Sequence, residues 1–122
     1  MVKISDAEWK IMNLLWDSEP RTMMQITKAL SDTTNWSKHT VMTYLKRLEE
    51  KGAIHHVEGE RAKQYYTDLQ KEDAIHSETN SFLDKVFKGN RGLMISTMLE
   101  DSSLTDKDME QLLDILNEKR NS

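Results

Sequence analysis

Apolar residues first recur at helical spacing near the N-terminus. Trp9, Met12, Leu15 and Trp16 share one side of a 3.6-residue turn, and Ile11 and Leu14 widen the stripe. Ser5 or Asp6 is placed to cap this helix. Glu19-Pro20 ends it, because the residue before proline is pushed out of helical geometry. Thr22 opens a second, shorter helix through Met23, Ile26 and Leu30. A third runs from a capping Ser37 to a stop at Gly52, with Val41, Leu45 and Leu48 as its apolar seam.

The period then changes. Residues 53–57, AIHHV, read as a strand, residues 59–63, GERAK, as a turn, and residues 64–67, QYYT, as a returning strand. Three helices followed by a hairpin is the winged-helix order, in which the third helix is the reading element. Beyond residue 70 the pattern is helical again. Asp73 to Lys88 carries Ile75, Thr79, Phe82, Val86 and Phe87 near one side. KGNRG at 88–92 interrupts it, and Leu93 to Leu99 is short and almost wholly apolar. Leu104 and Thr105 begin a last helix striped by Met109, Leu112, Leu113 and Leu116, where Thr105 with Asp108 resembles a capping box.

The expected fold class is therefore mostly α with a small β-hairpin. An N-terminal winged helix-turn-helix domain spans residues 1–70, and a C-terminal three-helix region spans 71–122. Three short helices with this many large apolar residues cannot cover one another. Burying a leucine or methionine contributes roughly 1.5–3 kcal/mol, which favours pairing with the same segment of a second chain. Packing against the N-terminal domain is the alternative. The residues expected at the dimer interface are Phe82, Val86, Leu93, Met98, Leu99, Met109, Leu112, Leu113 and Leu116.

Composition narrows the function. The chain has 122 residues, 37% hydrophobic and 31% charged, and no cysteine. Disulfides, thiolate metal sites and cysteine nucleophiles are excluded. No apolar run approaches the roughly 18 residues that would span a bilayer, and MVKISDAEWK lacks a signal-peptide core. A cytoplasmic protein without membrane insertion is expected. Net charge is −4, but residues 1–70 hold ten Lys/Arg against ten Asp/Glu, and residues 71–122 hold seven against eleven. The acidity belongs to the C-terminal part, leaving the N-terminal part free to present a basic face.

That face lies on the third helix. With Val41, Leu45 and Leu48 turned inward, Lys38, His39, Thr40, Met42, Thr43, Lys46 and Arg47 lie outward or flank the seam. Threonine bonds base edges or phosphates, and its methyl touches the thymine methyl, as Met42 would. Lys46 and Arg47 suit phosphates, which fix register without reading sequence. Free N–H groups at Ser37 to His39 offer a phosphate site. Arg61 and Lys63 on the hairpin supply a second hold, weakened by Glu58 and Glu60. Such a face suits the major groove of double-stranded DNA, where the alternative is a face that is only solvated. Trp9, Trp16 and Trp36 are expected to pack rather than to stack on bases. His55 and His56 are adjacent in a strand and face opposite ways, so no metal site is expected. No cofactor and no enzymatic activity are expected, since no nucleophile elbow or phosphate-cradling glycine loop accompanies the polar residues.

Several stretches together resemble the penicillinase and methicillin-resistance repressors, the BlaI/MecI group, related to the copper-responsive CopY-type repressors. They are Ser5-Asp6-Ala7-Glu8-Trp9, Ile11-Met12 and Leu15-Trp16, then Asn35-Trp36-Ser37, Thr40-Val41, Thr43, Leu45, Arg47-Leu48 and Lys51-Gly52. Gln64-Tyr65-Tyr66 and Val86-Phe87-Lys88-Gly89 complete the set. The similarity runs from about residue 4 to 118. It implies a homodimeric winged-helix repressor on a dyad operator, held together by its C-terminal helices. It also implies control by a membrane sensor whose signal leads to proteolysis. In the antibiotic-resistance repressors the cut falls at an Asn-Phe pair inside the short apolar helix. This chain has Thr97 and Met98 at those positions of the candidate proteolytic switch, in place of the Asn-Phe pair, and it lacks the cysteine tail of the copper branch, so neither familiar induction route is supported. The competing function is a winged-helix adaptor for protein contacts, which would tolerate charge reversal on the outer face of the third helix.

Overall fold

The computed structural model describes residues 2–100 and 103–122. Among them lie six helices and one antiparallel hairpin: α1 Asp6–Asp17, α2 Met23–Thr34, α3 Lys38–Glu50, β1 Ile54–Glu58, β2 Lys63–Thr67, α4 Lys71–Phe87, α5 Arg91–Glu100 and α6 Asp106–Asn121. The expected mostly-α fold with a small hairpin is what the chain adopts. No helix is long and apolar enough to cross a membrane among the described residues. The chain divides into two compact units, residues 1–79 and 80–122. This division falls inside α4, whereas the change from hairpin to helix occurs at 70–71.

Local chemistry sets the helix ends. Ser5 caps α1 in a reciprocal box with Glu8, and Thr22 caps α2 in a box with Gln25. Glu19-Pro20, a cis peptide, follows α1. Asn35 ends α2 in the left-handed region at φ 55°, and only Trp36 and Ser37 separate it from α3. Ser37 Oγ accepts from the Thr40 N–H at 3.2 Å. Gly52, at φ 78°, turns the chain out of α3 into the hairpin, a conformation in which a side chain is strained. The anticipated box at α6 is present: Thr105 and Asp108 bond reciprocally at 3.1 and 3.2 Å.

The core of the N-terminal unit is made where α1, α2, α3 and the hairpin meet. Ile11, Met12, Leu15, Ile26, Val41, Leu45 and Leu48 are fully buried there, with Ile4, Ala53, Ile54 and Tyr65 completing the cluster. The hairpin pairs Ile54 with Thr67 through Glu58 with Lys63, so its turn is residues 59–62. The first strand starts at Ile54 rather than Ala53. The Ala53 carbonyl instead accepts the N–H groups of Asp68 and Leu69, which closes the base of the hairpin. Lys63, expected in the turn, is the first residue of β2. Arg21 bridges to Tyr65 and adds one residue of a third strand. Glu19 accepts from both the N–H and hydroxyl of Thr67, at 3.0 and 2.6 Å. Trp16 donates its indole N–H to the Leu69 carbonyl at 2.9 Å. These long-range bonds fix the wing against the helices.

In α4 the expected stripe is not the buried one. Ala74 and Leu83 are buried, whereas Ile75, Phe82 and Val86 remain exposed. Periodicity identifies residues sharing a face but not which face finds cover within one chain.

Candidate nucleic-acid interface

The outer surface of α3 follows from its buried seam. Val41, Leu45 and Leu48 have no exposed area, so the residues between them must face away from the core. Lys38, His39, Met42, Lys46 and Arg47 are exposed, and Thr40 and Thr43 are half-buried beside them. The salt bridges among the described residues use Lys51, His55 and His56. Lys38, Lys46, Arg47, Arg61 and Lys63 thus have no carboxylate partner there, and their charge is available to a ligand.

Hydrogen bonds change what the threonines can offer. Thr43 donates its hydroxyl to the His39 carbonyl at 3.0 Å, and Thr40 shares a hydroxyl contact with Ser37 at 3.2 Å. Thr43 therefore presents a methyl group and an acceptor lone pair, not a donor. Ser37, expected both as the cap and on the interface, is exposed and caps the helix. Its bond to Thr40 leaves the N–H groups of Lys38 and His39 at the positive end of the helix macrodipole.

The wing carries Arg61 at its tip and Lys63 opposite Glu58, all exposed. The tip is tight. The Gly59 N–H donates to the Ala62 carbonyl at 3.1 Å, and a Cβ on Gly59 would lie 2.5 Å from that oxygen. His55 and His56 do point to opposite faces. His55 bonds Asp68 at 2.8 Å and stacks on Tyr66. His56 bonds Glu49 of α3 at 2.7 Å and has Glu58 at 3.8 Å. His56 is thus a tie between the end of α3 and the wing. Tyr65 is the inward tyrosine. Burial, then the charges of Glu49 and Glu58, push its hydroxyl above its ordinary pKa, so it stays neutral. No cluster of three metal-ligating side chains occurs among the described residues.

Two arrangements lie beyond the sequence expectations. Lys51, at the C-terminal cap of α3, turns back to pair with the buried carboxylate of Glu8 and to donate to the Lys3 carbonyl. Burial pushes the Glu8 carboxyl up. Hydrogen bonds from Lys51 and Ser5 and the Lys51 charge outweigh it and hold the pKa below its ordinary value. Trp36 and Tyr44 meet at a 4.9 Å ring separation, and the Arg47 guanidinium lies 5.7 Å above the Tyr44 ring. The spacing of Tyr44 and Arg47, three residues along a helix, was the signal that could have found the second.

The family model of the penicillinase repressor matches residues 4–118. The chain belongs to the penicillinase repressor family. A penicillinase repressor of Bacillus licheniformis is 33% identical over 119 residues, covering 98% of this chain and 93% of that protein. The methicillin resistance regulatory protein MecI of Staphylococcus aureus strain N315 is 30% identical over 117 residues, covering 96% and 95%. Among solved structures, the DNA-binding domain of the repressor BlaI is 35% identical. It aligns with a TM-score of 0.54 over 59% of this chain and 88% of that one. The Bacillus licheniformis BlaI monomeric form in complex with the blaP half-operator, also 35% identical, aligns with a TM-score of 0.52 over 58% and 87%. The adhesin competence repressor of Streptococcus pyogenes, at 18% identity and a TM-score of 0.51 over 99% of this chain, shares the fold alone. Within the penicillinase repressor family, then, this member carries Lys38, His39 and Met42 on the exposed side of α3.

The residues expected at a dimer interface divide by exposure. Phe82, Val86, Leu93, Met98, Met109, Leu113 and Leu116 are each 47–61% exposed in the single chain, whereas Leu112 is half-buried. Met98, Leu99 and Leu112 line an apolar groove between α5 and α6. Thr97 sits within α5 and donates its hydroxyl to the Leu93 carbonyl at 2.8 Å.

Proposed function

We propose that this chain is a transcriptional repressor that binds double-stranded DNA with α3 and the wing, as a homodimer on a dyad operator. The observation that carries the reading is the unpaired cationic face of α3 beside Thr40 and Thr43, in a fold whose 35%-identical relative was solved on a half-operator. Lys46 and Arg47 hold phosphates and set register. The Lys38 and His39 N–H groups receive a further phosphate. Thr40, Met42 and Thr43 face base edges, where their methyl groups suit thymine. Arg61 and Lys63 meet the backbone beside the groove occupied by α3.

The second copy would cover the apolar positions of α4, α5 and α6. Fourteen large hydrophobics are exposed among the described residues of the single chain, and ten of them lie in residues 80–122. Their concentration there supports pairing between like units. A signal acting on this unit would release the operator. The Thr97-Met98 bond lies within a ten-residue helix, too short to be stable without tertiary packing, so local opening of α5 would expose it to a protease.

Fluorescence anisotropy against promoter fragments tests the reading. Sub-micromolar affinity that falls steeply with salt is expected, because phosphate contacts release counterions. Arg47→Ala weakens binding to all fragments and lowers the salt slope by about one. Flat, weak affinity for every fragment at physiological salt would overturn the repressor reading and favour a protein-binding adaptor.

A further inference from the structure

Arginine is useful at a phosphate only when its guanidinium is where the phosphate will be. Arg47 is exposed, near the end of α3, and no carboxylate pins it among the described residues. Its guanidinium carbon nevertheless lies 5.7 Å above the Tyr44 ring, within cation–π range. That ring is held in turn: Trp36 tilts against it at 4.9 Å and 46°, and both rings pack against the buried core of the N-terminal unit. Lys46, the neighbouring cation, makes no such contact among the described residues.

We propose that Tyr44, backed by Trp36, is a positioning residue that holds the Arg47 guanidinium ready for its phosphate. This rests on α3 being the DNA-contacting helix. The chemistry is compatible on both sides. A ring takes the π face of the guanidinium, while its N–H groups point outward in the guanidinium plane, where a phosphate accepts two of them. The stack therefore restricts the side chain without consuming a donor, and less freedom is lost when DNA arrives. It also divides the cations of α3. Arg47 is a fixed fork that sets register, whereas Lys46 is a mobile point charge. The motif Asn35-Trp36-Ser37 acquires a purpose beyond packing: the tryptophan that precedes the helix cap braces the ring that aims the arginine.

The test is a double-mutant cycle on the full chain with an operator fragment, read by anisotropy over a salt series. Tyr44→Leu is expected to weaken binding about two- to five-fold and to flatten the salt slope in the presence of Arg47. It should have no effect once Arg47→Ala is made. Tyr44→Phe keeps the ring and should restore both affinity and slope. Equal losses from Tyr44→Leu with and without Arg47 would mean a purely structural tyrosine and overturn the proposal. So would an Arg47→Ala variant that binds as the parent does. Failure of the parent chain to bind any fragment would instead sink the repressor reading itself. One measurement needs no variant: NMR relaxation of arginine Nε–H groups in the free protein. Arg47 should be more ordered than Arg61 at the wing tip, and equal mobility would overturn the proposal.

Discussion

Glu8 is a buried carboxylate in the first turn of a surface helix, and its partner is 43 residues away. Position 8 reads in the sequence only as the third residue of a capping box, and Lys51 only as one more cation near the end of α3. Their pairing depends on how α1 crosses α3, which no local pattern encodes. The carboxyl is held below its ordinary pKa against the opposing effect of burial. Its contribution to stability is thus complete above the unfolded value, about 4.3, and is lost as pH falls through the folded value. Urea unfolding of the parent and of Glu8→Gln at pH 7 and at pH 3 should show the parent losing more stability on acidification than the variant. Lys51→Met leaves the carboxylate buried without its cation. A loss of about 2–3 kcal/mol is expected at pH 7, below the roughly 3–5 kcal/mol of a fully buried pair, because the Lys51 side chain is 34% exposed. Thr43 makes the same point about long-standing expectations of a side chain. Both its hydroxyl and its methyl are expected at the DNA, and the hydroxyl proton is given to the His39 carbonyl. If the methyl is what reads a base, Thr43→Val keeps affinity and preference, whereas Thr43→Ala loses about fourfold at one base pair, the worth of a buried methyl. Systematic substitution of operator positions against each variant would show it, and equal loss from both would assign the reading to the hydroxyl oxygen.

At the scale of elements, α3 was the most legible. Its seam, its serine cap and its glycine stop all stand where apolar spacing and turn chemistry place them. The wing was legible as a hairpin but not in register, because Glu58 and Lys63 are paired by backbone geometry at Gly59 rather than by an alternating pattern. The capping boxes at Glu8 and Gln25 were readable from their three-residue spacing after Ser5 and Thr22 and were not anticipated. The cap of α3 sits on the proposed DNA face, so it can be separated from DNA contact. Ser37→Ala should lower stability by about 1 kcal/mol and weaken DNA binding together with it. Ser37→Asp, also a good cap, should retain stability yet bind DNA less tightly than the parent, because a carboxylate then stands beside the phosphate. Denaturant unfolding and anisotropy on the same preparations distinguish the two effects. Equal DNA affinity for the parent and Ser37→Asp would remove this end of α3 from the interface.

For the whole molecule the question is what covers the apolar positions of the C-terminal unit. Their existence was plain from helical spacing, but their fate was not, since covered and uncovered stripes look alike in one sequence. The single chain leaves Leu113 and Leu116 at 58% and 59% exposure, while Leu112 is half-buried beside the groove of α5 and α6. That difference chooses the variant. An aspartate at 112 would disturb the unit's own packing, so lost assembly could be blamed on lost folding. An aspartate at 116 removes a side chain already in water and replaces it with one that stays there in the monomer, so the folded monomer should be little affected. In a dimer the same carboxylate would be buried against apolar neighbours from the second copy and heavily penalised. Sedimentation of Leu116→Asp should therefore give half the parent mass with unchanged helical content. On DNA the variant should bind an isolated half-site as the parent does, while its affinity for the complete dyad falls, because linking two modest contacts raises the effective concentration of the second. A variant that kept the parent's mass would place the interface elsewhere. A monomeric variant that bound the dyad undiminished would leave dimerisation without a part in repression.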